Sequence, residues 1–152
     1  MSLAAPVQCS GSKTPALDLM FHHVGVAVRD MDKALAYYTG ALGMRVQSAP
    51  ITVPSQKVRV CFLCDATGSS VLVELVEGLE AGSPVERMLN AQGGGPYHLC
   101  FQVRDLAAAV KRLRRQGFFP LTRFEAGAAE KTRFAFLLTP DRQLIELCEG
   151  TA

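Results

Sequence analysis

The chain contains a near-copy of itself. The stretch Phe21-His22-His23-Val24-Gly25-Val26-Ala27-Val28-Arg29-Asp30 is matched half a chain later by Tyr97-His98-Leu99-Cys100-Phe101-Gln102-Val103-Arg104-Asp105. In each copy a histidine opens a run that alternates between two faces, the pattern of a strand with one side packed and the other facing a cavity. Val24, Val26 and Val28, with Leu99, Phe101 and Val103, are expected to pack against helices. His23, Gly25 and Ala27, with His98, Cys100 and Gln102, share the other side. The small residues beside His23 should leave room there for something that is not protein. A second internal match places Ile145-Glu146-Leu147-Cys148-Glu149-Gly150 over Val73-Glu74-Leu75-Val76-Glu77-Gly78. Its offset is 72 residues (146 minus 74), against 75 for the histidines (98 minus 23).

Between these anchors both halves read in the same order. Asp30 caps a helix whose apolar stripe is Met31, Ala34, Leu35, Tyr38 and Leu42, stopped by Gly43. Arg45 to Gln47 is a short strand and Ala49 to Gln56 a loop. Lys57 to Cys64 and Ser70 to Glu77 form a hairpin about Asp65-Ala66-Thr67-Gly68-Ser69. Ser83-Pro84-Val85-Glu86 carries the signature of a helix start, with Ser83 as cap, and a short helix should run to about Leu89. Asp105 caps a second long helix with Leu106, Ala109, Val110 and Leu113 on one face, ended by Gly117. Phe118 to Phe124 is an edge strand containing Pro120, and Gly127 to Lys131 a polar loop. Thr132 to Leu138 and Gln143 to Glu149 close the chain as a hairpin.

Strand, helix, strand, strand, strand therefore occurs twice. A βαβββ unit cannot cover its open face alone, so the expected fold is α+β: two tandem βαβββ modules forming a curved mixed sheet around a central metal cavity. The expected division is a flexible N-terminal tail over 1–18, a first module over 19–78, a linker with a short helix over 79–96 and a second module over 97–150.

At 152 residues with 49% hydrophobic content the chain can bury a full core. A net charge of +2 gives no reason to expect nucleic acid as a partner. The single basic run, Lys111-Arg112-Leu113-Arg114-Arg115, is either the solvated face of a helix or a site of attraction for an anion. Five cysteines, Cys9, Cys61, Cys64, Cys100 and Cys148, are odd in number and no secretory signal stands before them, which predicts a reduced, cytoplasmic setting. Cys61 and Cys64 have CxxC spacing, but on a strand their sulfurs point to opposite faces and no second pair completes a zinc site. No apolar run has the roughly 20 residues that a bilayer span needs, so no membrane is expected. Gly93-Gly94-Gly95-Pro96 reads as linker, because a phosphate-binding glycine loop should lead into a helix.

The chemistry follows from the duplication. A glutamate at position 74, among apolar neighbours, is costly unless it is paired or metal-bound. His23 and Glu74 come from the first and last strands of one unit, and His98 and Glu146 from the same places in the other, so pseudo-symmetry should bring all four together. Singly, a histidine opening a strand is usually structural and an edge-strand glutamate usually solvated. Two imidazoles and two carboxylates at equivalent positions make a set suited to Co, Zn, Ni, Mn or Fe, with coordination positions left open for water or substrate. His22, Glu77 and Glu149 fall on the opposite face or at strand ends. Glu149 is the substitute if the register is displaced by one.

The segments His-Val-Gly-Val-Ala-Val, Val-Glu-Leu-Val-Glu, Ser-Pro-Val, Tyr-His-Leu-Cys-Phe and Leu-Ile-Glu-Leu-Cys-Glu together resemble the vicinal oxygen chelate superfamily. That superfamily includes glyoxalase I, fosfomycin-resistance enzymes, extradiol dioxygenases and bleomycin-binding proteins. Within it the chain looks most like the methylmalonyl-CoA epimerases, from about Leu19 to Gly150. The likeness implies a divalent metal ion held by His23, Glu74, His98 and Glu146, and an isomerase that abstracts an α-proton through a metal-chelated enolate. Glu146 is implied as one catalytic acid–base group. A small-molecule substrate, an acyl-CoA among the candidates, and a homodimer are implied with it. Lys131, Arg133, Arg114 and Arg115 are cations that could meet such an anion. Two features depart from the pattern: Val60 stands where some epimerases carry a second glutamate, and Thr139-Pro140-Asp141-Arg142 is a shorter loop than theirs. Alternatives are another metal-dependent enzyme of the superfamily, such as a glyoxalase-like lyase or a secondary-metabolite tailoring enzyme, and a metal-free protein that binds a small molecule such as an antibiotic.

Overall fold

Two aspartates start the long helices as expected. In a computed structural model of the chain, which describes residues 17–68, 71–122, 125–126 and 133–150, the Asp30 carboxylate accepts the backbone N–H of Lys33 and that of Asp105 the N–H of Ala108. These caps open α1 (Met31–Gly40) and α3 (Leu106–Arg114). Before α1 stands β1 (Met20–Val28). After it come β2 (Arg45–Val46), β3 (Ile51–Val53), β4 (Val58–Cys64) and β5 (Val71–Gly78). The linker carries α2 (Glu86–Gln92), which Gly93 ends in the left-handed conformation. The second half consists of β6 (Gly95–Val103), α3, β7 (Phe119–Pro120), β8 (Glu125–Ala126), β9 (Arg133–Leu138) and β10 (Leu144–Glu149).

All ten strands join one open sheet in the order β2-β4-β5-β1-β6-β10-β9-β7, with β3 added to β4 and β8 to β9. β1 runs parallel to β5, β6 parallel to β10, and β1 pairs antiparallel with β6 at the centre. Exchanging β1–β5 for β6–β10 reads the same order backwards, so a pseudo-twofold passes between β1 and β6. The α+β reading, with two βαβββ units in one curved mixed sheet, is the observed architecture.

The helices cover the outer face of each half. Met31 and Ala34 pack on Val28, Cys61, Leu63 and Leu75, while Leu106, Ala109, Val110 and Leu113 pack on Val103, Leu137, Ile145 and Leu147. Each large apolar side chain so buried contributes about 1.5–3 kcal/mol. On the inner face, α2 closes one end by setting Val85 and Leu89 on Ala27, Val58, Val60 and Val76.

The two units also share a clamp that the sequence reading did not find. Glu77, at the end of β5, accepts the N–H of Met31 at 3.0 Å and the Arg59 Nε at 2.8 Å. Glu149, at the end of β10, accepts the N–H of Leu106 at 3.0 Å and the Arg133 Nε at 2.8 Å. A carboxylate thus sits at the positive end of each long helix, tied down by an arginine from the adjacent strand of its own hairpin.

Several expectations need correction. The first helix stops at Gly40, before the expected end, and Leu42 is 64% exposed. Leu99 is 40% exposed, since α3 lies over the far end of β6. The loop over Ala49 to Gln56 contains β3 and a 3₁₀ turn over Pro54–Gln56. α2 begins at Glu86, and the Glu86 carboxylate reaches the N–H of Gly82 where a capping box would use that of Ser83. Among the described residues of the expected edge strand, Phe119 and Pro120 pair with β9. β6 begins at Gly95. Leu17, assigned to the tail, packs against the α3 core. Residues 1–16 and the Gly127 to Lys131 loop lie outside the described residues. Among the described residues, no helix is long and apolar enough to cross a membrane.

Candidate metal centre

Four adjacent strands each supply one side chain to the inner face. The register sets Gly25 of β1 between Glu74 of β5 and His98 of β6, and sets Cys100 of β6 between His23 of β1 and Glu146 of β10. His23, His98 and Glu74 are 3%, 4% and 9% exposed. Their donor atoms converge with that of Glu146, the four lying within 4.8 Å of one another. His23 Nε2 is 3.4 Å from Glu74 Oε2 and 3.5 Å from Glu146 Oε2. His98 Nε2 is 3.4 Å and 3.0 Å from the same two oxygens, and 3.3 Å from His23 Nε2.

These separations fit a shared ion. Donors about 2.1 Å from one metal stand about 3.0 Å apart across a right angle and about 3.4 Å apart across a tetrahedral one. The charges fit as well. Burial would raise the Glu146 carboxyl, but hydrogen bonds from His23 and His98 outweigh it and hold the group at about 2. Burial likewise opposes ionisation of Glu74, and the same two histidines hold it below its usual range. Burial would lower His23, yet Glu146 and Glu74 raise it to about 9; His98 is raised by the same carboxylates against its own burial. Two buried negative charges thus draw protons onto the imidazoles. A divalent cation can supply the same compensation while the imidazoles stay neutral.

The space beside His23 is not free, contrary to expectation. A Cβ built on Gly25 would lie 2.1 Å from His98 Cε1, so the missing side chain makes room for the second histidine of the set. A second correction concerns His22. The pairing of β1 with β6 shifts between Phe21 and His23, and this bulge turns His22 toward His23, their Nδ1 atoms 2.7 Å apart. His22, Cys100 and Cys148 also bring their donor atoms within 4.8 Å of one another. The Cys100 thiol lies 3.5 Å from Cys148 Sγ, a contact that pushes Cys100 up and Cys148 down in pKa. Consecutive alternating residues carry no signal for such a bulge.

Aromatic rings wall the centre. Phe62 stands edge-on to His23, and Tyr97 and Phe136 stand edge-on to His98. Burial and then the Glu146 and Glu74 charges raise the Tyr97 phenol to about 12, so it stays protonated as a donor. Tyr97 and Phe136 also line a cavity of about 380 Å³ together with Gln56, Lys57, Leu121 and Leu144, from both halves. That volume suits a small organic molecule.

The remaining candidates sort clearly. Glu77 and Glu149 serve the helix clamps, away from the centre. Arg133 is engaged with Glu149, and Lys131 lies outside the described residues. Lys111, Arg112 and Arg114 occupy the last turn of α3, where cations complement the helix dipole. Cys61 and Cys64 donate separately to the carbonyls of Ser48 and Arg45. Val60 is 3% exposed among Val53, Val58, Ala27 and Val76, an apolar setting.

Comparison with known proteins agrees with this architecture. An uncharacterized protein of Bacillus subtilis, YqjC, is 33% identical over 129 residues, covering 84% of this chain and 89% of its own. The ethylmalonyl-CoA/methylmalonyl-CoA epimerase of Cereibacter sphaeroides is 37% identical over 97 residues, 63% of this chain and 69% of its own. The crystal structure of methylmalonyl-CoA epimerase from Mycobacterium tuberculosis superposes with a TM-score of 0.76 at 31% identity, covering 87% of this chain and 88% of that one. The family model for the glyoxalase/bleomycin resistance protein/dioxygenase superfamily matches residues 22–136. With three quarters of its length matched and its βαβββ units paired in this way, the chain belongs to the glyoxalase/bleomycin resistance protein/dioxygenase superfamily.

Proposed function

We propose that the protein is a divalent-metal-dependent isomerase of the methylmalonyl-CoA epimerase type. The convergence of His23, Glu74, His98 and Glu146 on one point carries the reading, and the likeness to named epimerases at 31–37% identity supports the reaction class. In this reading those four residues hold the ion, one of Co, Zn, Ni, Mn or Fe. When bound, the ion supplies positive charge that acidifies a carbon flanked by two carbonyl groups.

The chain's own residues account for the rest. The cavity beside Tyr97 and Phe136 receives a small acyl group. Glu146 uses Oε2 toward the histidines, and its carboxylate, ionised at neutral pH, can take or return a proton at the substrate carbon. Tyr97 stays protonated and can donate a hydrogen bond. An acyl-CoA substrate and a homodimer belong to the same reading, and light scattering on the purified protein would check the dimer. Deuterium wash-in at the α-carbon of methylmalonyl-CoA tests the chemistry. Exchange dependent on added metal is expected, and its absence in metal-loaded protein would refute the epimerase assignment.

A second reading is favoured by Val60. An epimerase needs a proton-transfer group on each side of its carbon, and the position where some epimerases place the second glutamate is here sealed in an apolar cluster. A metal-dependent lyase or tailoring enzyme of the superfamily would retain the metal set without that second base. Bound metal combined with no exchange on the thioester would select it.

A further inference from the structure

The two histidines of the centre are equivalent by duplication but are not held alike. Among the described residues the Nδ1 of His98 has no hydrogen-bond partner, whereas the Nδ1 of His23 lies 2.7 Å from the Nδ1 of His22. The counterpart of His22 in the second half is Tyr97, whose ring stands edge-on to His98 at 5.3 Å. Only the first half puts an imidazole behind its ligand.

A nitrogen–nitrogen contact of that length requires a single proton between the two atoms, one ring donating and the other accepting. A neutral imidazole carries one proton. If His23 keeps a lone pair on Nε2, the atom turned toward Glu74, Glu146 and His98, its proton is on Nδ1. The Nδ1 of His22 is then the acceptor, and His22 carries its own proton on Nε2. We propose that His22 is a positioning residue of the metal centre: by accepting the Nδ1–H of His23 it locks that ring with its Nε2 lone pair facing the ion. This rests on the metal-dependent reading above.

The bulge between Phe21 and His23 is what makes the contact, since regular alternation would turn His22 to the other face. The His22 ring is half-buried, with a ring nitrogen within 4.8 Å of the thiols of Cys100 and Cys148. Partners of this kind fix the tautomer and orientation of a ligating histidine, and their loss typically weakens metal binding by about 10–100-fold.

The test titrates Zn²⁺ into metal-free wild type, His22→Phe and His22→Asn by calorimetry, and reads ring tautomers in zinc-loaded wild type by ¹⁵N NMR. His22→Phe should weaken binding about 10–100-fold at unchanged stoichiometry. His22→Asn, whose Oδ1 can take the place of the accepting nitrogen, should recover most of that loss. The spectrum should show His23 protonated on Nδ1 and His22 on Nε2. Equal losses in both variants, binding by His22→Phe within twofold of wild type, or a His22 proton on Nδ1 would each overturn the proposal while leaving the metal reading intact, whereas a His23 proton on Nε2 in the zinc-loaded protein would overturn both. Wild type that takes up no zinc would overturn the metal reading and this inference with it. The tautomer measurement holds even if His22→Phe fails to fold.

Discussion

At Gly25 the absence of a side chain is what admits His98. Alanine there would put a carbon 2.1 Å from His98 Cε1 and 2.3 Å from Nδ1, so the ring must leave its place. Gly25→Ala is expected to cost about 1–3 kcal/mol of stability, as crowding of a packed interior does. It should also weaken metal binding at least about tenfold by moving one of the donors. Urea unfolding of the metal-free variant and a zinc titration measure the two effects separately. Much of this site was legible in the sequence, because strand parity and repeat equivalence together leave few ways to place His23, Glu74, His98 and Glu146. What filled the space beside Gly25 was not legible. It depends on the antiparallel register of β1 and β6, which neither strand specifies alone.

The helices and strands show where local signals suffice. Asp30 and Asp105 announced their helices, since a cap acts within three residues. The Glu77 and Glu149 clamps reach 46 and 43 residues along the chain to the helix N-termini they accept from, so no local pattern reveals them. Glu149 offers a pH test. Arg133, followed by the N–H of Leu106, holds its carboxyl at about 2 against an ordinary 4.5. A folded-state value below the unfolded one stabilises the fold above about pH 4.5, and that contribution is lost as pH falls toward 2. Glu149→Gln should therefore be less stable than wild type at pH 7, by on the order of 1 kcal/mol given the exposure of the pair. The gap should close between pH 4.5 and 2, and chemical denaturation across that range would show it. Leu75 and Leu147, repeat equivalents with no exposed surface, test the outer cores. Alanine at either should cost about 2–5 kcal/mol, read from denaturant midpoints at constant slope.

Across the whole molecule, the pairing of β1 with β6 makes one sheet of two units. The inner face of that sheet is completed only where they meet, since each unit supplies one histidine and one carboxylate. Unfolding is expected to be a single cooperative transition, with fluorescence and circular dichroism coincident; separate transitions would mean that the halves fold independently. The paired-module plan was legible from the duplication, whereas the short strands β3 and β8 were not, because two or three residues carry no usable period. The decisive measurement is the stoichiometry of divalent metal bound to purified protein, compared with His23→Ala and His98→Ala. One ion per chain in wild type, with affinity falling by orders of magnitude in either variant, is the predicted result. No bound ion in wild type after titration, or undiminished binding in both variants, would contradict it.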